Sequence, residues 1–285
     1  MRFRFIYPIL FFLLFLIPFL AYILVGKHQS EPTFVAISGV ASFLFGLLAT
    51  NTLNGRHTRL DQVVANGSTE RGELTFISES LKVFPDEREE VLSCIDNYVM
   101  AELDLEVKYF HETDKQFLEL FDRITALKIK NEKQKDIYSR LLVALEKIED
   151  TRKYSATLFE DRMTKSEWMI LYFLIAVIYI TLLFADTGGL FAVSIILLLA
   201  AIISYILIVT IKLDRMEWKV DEKIFEPYAQ MLDTIGLIRY YPKQIFDDKT
   251  IKRVFKLPKG SKFRIGDLPN YPSLEKRVID VRTIK

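Results

Sequence analysis

Four stretches of this chain, residues 5–25, 34–53, 168–185 and 190–211, contain no charged side chain. Each is close to the roughly 20 residues that a helix needs to cross a hydrocarbon layer of about 30 Å. Backbone groups in lipid must find their hydrogen bonds within their own segment, so each stretch is expected to be a helix. Hydrophobic residues make up 51% of the chain and charged ones 26%, and the two kinds sit in separate blocks. A soluble domain spreads its apolar residues as stripes instead. The expected class is therefore an all-α membrane protein with four transmembrane helices, long cytoplasmic helical extensions and a small Pro-rich basic tail.

Segment 1–53 then holds spans one and two (5–25 and 34–53), and 54–166 is a cytoplasmic helical domain. Segment 167–211 holds spans three and four (168–185 and 190–211), and 212–285 is a cytoplasmic C-terminal segment. Arg2 and Arg4 give the first block the basic start of a signal peptide. Its apolar run exceeds that of a signal peptide and no A-x-A-like site follows Val25, so an uncleaved anchor is expected. Pro8 and Pro18 predict bends within it. Between the last two blocks, Asp186-Thr187-Gly188-Gly189 has the backbone freedom for a tight reversal.

Sidedness follows from basic residues, which concentrate on the cytoplasmic side of a membrane. Of the 38 Lys and Arg, Lys27 alone falls in the two short connections on the opposite side. Both termini and the long middle segment are thus expected in the cytoplasm of a cell whose inner membrane holds the spans. The exit "LIVTIKLDRMEW" places Lys212, Asp214 and Arg215 at that surface and Trp218 at the interface.

The aqueous stretches read as helices. Leu74, Ile77, Leu81 and Phe84 recur at three- and four-residue steps. This helix is expected to start inside span two, run through Leu60 and Val64, and stop before Pro85. Asp86 with Glu89 looks like a cap for the next helix, which carries Leu103, Val107, Phe110, Phe117, Phe121 and Ile124 with a break at Asp114. A third stripe, Ile137, Leu141, Leu145 and Ile148, predicts a helix continuous with span three through Trp168. In the tail, Pro242, Pro258, Pro269 and Pro272 forbid a long helix. Lys259-Gly260-Ser261-Lys262, between "VFKL" and "FRIGDL", predicts a β-hairpin. Basic residues outnumber acidic ones there, so the tail either meets anionic lipid headgroups or folds on its own domain.

Little in the sequence points to chemistry. His28, His57 and His111 are scattered, Cys94 is the lone cysteine, and no phosphate- or dinucleotide-binding glycine motif occurs. No catalytic residue, metal ligand or cofactor site can be assembled, so an enzyme is not expected. A net charge of +1 gives no reason to expect nucleic acid. The informative pattern is Ser38, Ser42, Gly46, Thr50 and Asn54, small or polar groups every four residues along span two. Such a row permits close helix packing. Alternatively it wets a pore, with Phe43, Leu44 or Leu47 forming a constriction.

Three stretches carry a family likeness: "FLFGLLATNTLNGRHTRLDQVVANGSTERGELTFISESLKVFP", "LEKIEDTRKYSATLFEDRMTKSEWMILYFL", and "KLDRMEW" followed by "KVDEKIFEPYAQML". In order and spacing they resemble the bestrophin-like family of bacterial membrane proteins, over roughly residues 34 to 235. Where that family often has Pro-Phe after Leu-Asp-Arg, this chain has Met216-Glu217. The resemblance implies a homo-oligomer, a pentamer in bestrophins proper, with span two around a central pore. It also implies an ion channel for small monovalent ions, with Arg56 and Arg59 as charges at the cytoplasmic mouth and anions slightly favoured. The rival expectation is a membrane-anchored scaffold or signalling protein that conducts nothing.

Overall fold

In a computed structural model of the protein, the described residues are 32–105, 112–184, 190–216, 225–244, 246, 257–271, 273–274 and 276–283. The first apolar block, the 186–189 reversal and Trp218 lie outside them. Helix α1 spans Pro32–Ser80, α2 Arg88–Asp104, α3 Asp114–Thr125, α4 Glu132–Glu160, α5 Lys165–Phe184, α6 Leu190–Asp214 and α7 Glu226–Thr234. Strands β1 (Arg239–Pro242), β2 (Lys262–Asp267) and β3 (Val278–Thr283) follow. Among the described residues, α1, α5 and α6 hold the three stretches long and apolar enough to cross a membrane. The chain divides into two compact units, Met1–Leu60 with Arg162–Trp218, and Asp61–Asp161 with Lys219–Lys285.

Packing in the first unit is through small and branched side chains. Ala41, Phe45 and Ala49 of α1 meet Leu171, Ile175 and Ile178 of α5 and Ile203 and Leu207 of α6. Thr181, Ser204 and Thr210 return their hydroxyls to carbonyls one turn back (Val177, Ala200 and Ile206). This satisfies a polar group within its own helix, as an apolar surrounding demands. After α6 the chain closes with Met216 at φ 56°. A proline, whose ring holds φ near about −65°, could not take that conformation.

As expected, α1 runs on past span two. It tightens into a 3-10 turn at Leu81–Val83, and Phe84, pushed out of helical space by Pro85, takes φ −122°. The next three helix boundaries differ from the sequence reading. Glu87, not Asp86, stands at the N-cap of α2, because the Asp86 carboxylate is held by Lys130 at 2.6 Å. The break after Leu103 comes at Leu105, whose backbone is extended, and Asp114 opens α3 rather than interrupting it. The third stripe is not one helix into span three. It stops at Glu160, and Thr164 with Glu167 starts α5 afresh: Thr164 N donates to Glu167 Oε2 at 2.7 Å and Glu167 N to Thr164 Oγ1 at 3.3 Å. That reciprocal cap was written in "TKSE".

The second unit has one continuous core. Leu74 and Ile77 of α1, Ile95, Tyr98 and Val99 of α2, Leu120 of α3, Leu145 and Ile148 of α4, Leu232 of α7 and Tyr240, Tyr241 and Phe263 of the sheet all belong to it. The fold is thus mostly helical with a small sheet, ordered β1-β2-β3, β1 parallel and β3 antiparallel to β2. "FRIGD" is a strand as expected, but its described partners are β1 and β3. Residues 254–256, most of the proposed hairpin arm, lie outside the described set. Gly266 lies beneath the Tyr240 ring, where a Cβ would collide with ring and hydroxyl. Because that hydroxyl is anchored on Asp104, the ring cannot step aside. Gly266→Ala is expected to cost about 2 kcal/mol, measurable as a lowered unfolding midpoint of the second unit.

Candidate functional site

The four-residue row of α1 divides between two faces. Ser38, 9% exposed, lies on the face that carries Ala41, Phe45 and Ala49. Ser42, Gly46, Thr50 and Asn54 are exposed on the single chain. A Cβ at Gly46 would meet nothing within 4 Å. Phe43, Leu44 and Leu47 are also exposed, at 69%, 44% and 55%. Among the described residues, therefore, close packing uses the alanines and Ser38, and Ser42, Gly46, Thr50 and Asn54 are turned away from it.

At the end of α6 the charges converge on Asp214. Arg59, 3% exposed, donates from Nη2 to the carbonyls of Asp214 at 2.6 Å and Leu213 at 3.5 Å. These are terminal carbonyls of α6, where a cation also meets the negative end of the helix dipole. The Asp214 carboxylate lies 4.0 Å from Arg59 Nη1 and 3.8 Å from Arg56 Nη1. It also accepts from Met163 N at 2.8 Å, in the break before α5. The two arginines read from the sequence as charges at a mouth are thus both beside one carboxylate of their own chain. Arg59 is buried by it; Arg56 keeps 12% of its side chain exposed. Asp214 was read only as an exit residue, and its place at the last turn of an apolar helix was the available signal.

A second polar cluster lies inside the second unit. Glu70 of α1 accepts hydrogen bonds from Tyr98 Oη at 2.5 Å and Tyr228 Oη at 2.8 Å. Glu102 of α2 accepts from Arg152 Nη1 at 2.7 Å and Thr113 Oγ1 at 2.6 Å. Arg152 also binds Asp114 at 2.9 Å and lies over the Tyr98 and Phe117 rings, 5.0 and 4.7 Å from their centroids. Burial pushes the Glu102 carboxyl up, against the pull of Arg152. Asp104, held by Tyr240 and by Arg277 at 2.6 Å, is pushed by burial up to about 6. Sequence reading missed the cluster, although Glu70 stands on the row that carries Leu74, Ile77 and Leu81. A carboxylate on an apolar stripe is the signal that was there to use.

Several basic residues of the C-terminal segment, among the described ones, are paired within their own unit. Arg264 forks onto Asp96 at 2.5 and 2.6 Å. Arg239 pairs with Asp233 at 3.0 Å and Glu226 at 3.3 Å, and Lys243 pairs with Asp267. His57 is exposed, while Cys94 is buried. No group of three or more His, Cys, Asp or Glu among the described residues is placed to hold a metal ion.

A family model, the Bestrophin-like domain, matches residues 9–215, well over half of the chain. No curated protein and no solved structure matches it.

Proposed function

The chain belongs to the bestrophin-like family, and from that premise we propose that it is a homo-oligomeric, pentameric channel for small monovalent ions. The single observation that carries this reading is the row Ser42, Gly46, Thr50 and Asn54, exposed on a membrane helix whose other face is already packed. In the proposed assembly that row faces an aqueous axis, and Phe43, Leu44 and Leu47 beside it narrow the path by excluding water. Arg56, partly exposed, joins Arg59 beside the single carboxylate of Asp214, and Asp61 nearby offsets part of the positive field. A ring of such groups at the mouth favours anions slightly. The membrane is the cell's inner one, both termini and the second unit face the cytoplasm, and the remaining exposed lysines of the tail lie near anionic headgroups.

Purified protein in planar bilayers is the test. Single-channel currents are expected, and Ser42→Trp is expected to reduce conductance at least about tenfold without changing subunit number, because an indole fills a path of a few ångströms. Cysteines at 42, 46 and 50 are expected to react with aqueous thiol reagents in the assembled protein, and a cysteine at 41 to resist them. A monomer or dimer by native mass spectrometry, with silent bilayers, would leave the conduction-free scaffold as the reading.

A further inference from the structure

Five elements bring polar groups to one buried place, and the charges there do not balance. Glu70, 6% exposed, stands on α1; Tyr98 and Glu102 come from α2, Arg152 from α4, Tyr228 from α7, and Asp114 from the start of α3. Arg71 of α1 lies over the Tyr228 ring, 5.1 Å from its centroid. Among the described residues, the Arg152 guanidinium bonds Glu102, Thr113 and Asp114. Glu70 is held by two hydroxyls and not by a cation. A tyrosine hydroxyl can donate to a carboxylate or accept from a carboxylic acid. The same two partners therefore serve Glu70 in either protonation state, and the cost of burying charge decides between them.

We propose that Glu70 is a proton-binding site that locks α1 to α2 and α7: the packed unit takes up a proton there, and its loss loosens the joint. Burial first, and then the charge of Glu102, push the Glu70 carboxyl from 4.5 up to about 7, with Tyr98, Tyr228 and Arg152 pulling the other way. A group raised on folding stabilises fully below its unfolded value. That contribution falls as pH climbs from about 4.5 and is gone once pH has passed about 7. A cell interior near neutrality sits at the weak end of this window, where acidification tightens the joint. Glu70 belongs to the helix that also carries Ser42 to Asn54, so under the channel reading the same proton regulates conduction. The proton site itself does not depend on that reading.

Hydrogen exchange on the full-length protein in liposomes tests it, with rates corrected for the intrinsic pH dependence of amide exchange. Between pH 5 and 7, protection in peptides covering 61–80 and 225–234 is expected to fall roughly tenfold per pH unit and then level off. Glu70→Gln, fixed in a neutral form, is expected to remove that slope. A wild-type profile flat from pH 5 to 8, or a Glu70→Gln protein that keeps the full slope, overturns the proposal. Should Glu70→Gln fail to fold, infrared titration of the wild type and Tyr228→Phe decides the matter. A buried carboxylic acid band is expected to disappear as pH rises towards neutrality, at a higher midpoint in Tyr228→Phe, which has lost a donor to the charged form. No such band at pH 5, or an unshifted midpoint, overturns it. A protein that shows the slope yet passes no current keeps the proton site and loses the channel; one that conducts without the slope does the reverse.

Discussion

Arg152→Met is expected to destabilise the second unit by about 3 to 5 kcal/mol, the usual cost of stripping one partner from a buried ion pair. The guanidinium, 3% exposed, joins Glu102 of α2 to Asp114 of α3 and fills the space between the Tyr98 and Phe117 rings. Methionine replaces much of the volume and none of the charge, so Glu102 is left partly buried near Glu70 with no cation bonded to it among the described residues. A domain whose whole stability is about 5 to 15 kcal/mol would then open often. Pulse proteolysis of the full-length protein reads this directly. Adding Glu102→Gln removes the stranded charge, and the double variant is expected to recover more than about 1 kcal/mol of the loss. Additive losses would show that ring stacking and volume, not charge, hold the joint. Arg152→Lys is expected to fall between, because an ammonium cannot bond two carboxylates as a flat fork while stacked on rings.

In the first unit the largest expected effect is at Asp214. Asp214→Ala is expected to cost about 3 kcal/mol, because Arg59 is buried beside it and the amide of Met163 loses its acceptor. Arg59 keeps its bonds to the carbonyls of Leu213 and Asp214 in any variant, so the loss is of charge compensation and of one backbone partner. Asp214→Asn separates the two. Its amide oxygen still accepts from Met163 N, so about half of the stability is expected to return. Thermal unfolding in detergent, followed by loss of the monodisperse chromatographic peak, measures both variants. Equal losses for Ala and Asn would assign the whole effect to charge.

Much of the architecture is legible in the sequence. The apolar helices at 34–53, 168–185 and 190–211, the continuation of α1 past its apolar stretch and its stop at Pro85 follow from apolar run length and from the steric effect of proline on the residue before it. Boundaries set by side-chain competition were read less well. Asp86 looks like a cap until Lys130 takes its carboxylate. Nothing in the stripe through Ile148 announces a stop at Glu160, but the Thr164–Glu167 cap does, and local capping outweighs the continued periodicity there. The candidate pore row was legible as a spacing, while its division between a packed Ser38 and an exposed Ser42 to Asn54 was not, because a step of four drifts slowly around a helix.

Apolar length and local turn chemistry are properties of neighbouring residues, so the chain alone determined which of the described helices are long and apolar enough to cross a membrane and where α1 must stop. Partnership between charges is a property of distance in space. Glu70 meets Tyr228, Arg59 meets Asp214 and Asp104 meets Tyr240 only after helices and sheet have packed. Burial then sets the worth of each meeting, since a carboxylate that costs nothing in water must find a donor, a cation or a proton once it is enclosed. For that reason tertiary structure alone decided which of this protein's many charged residues matter.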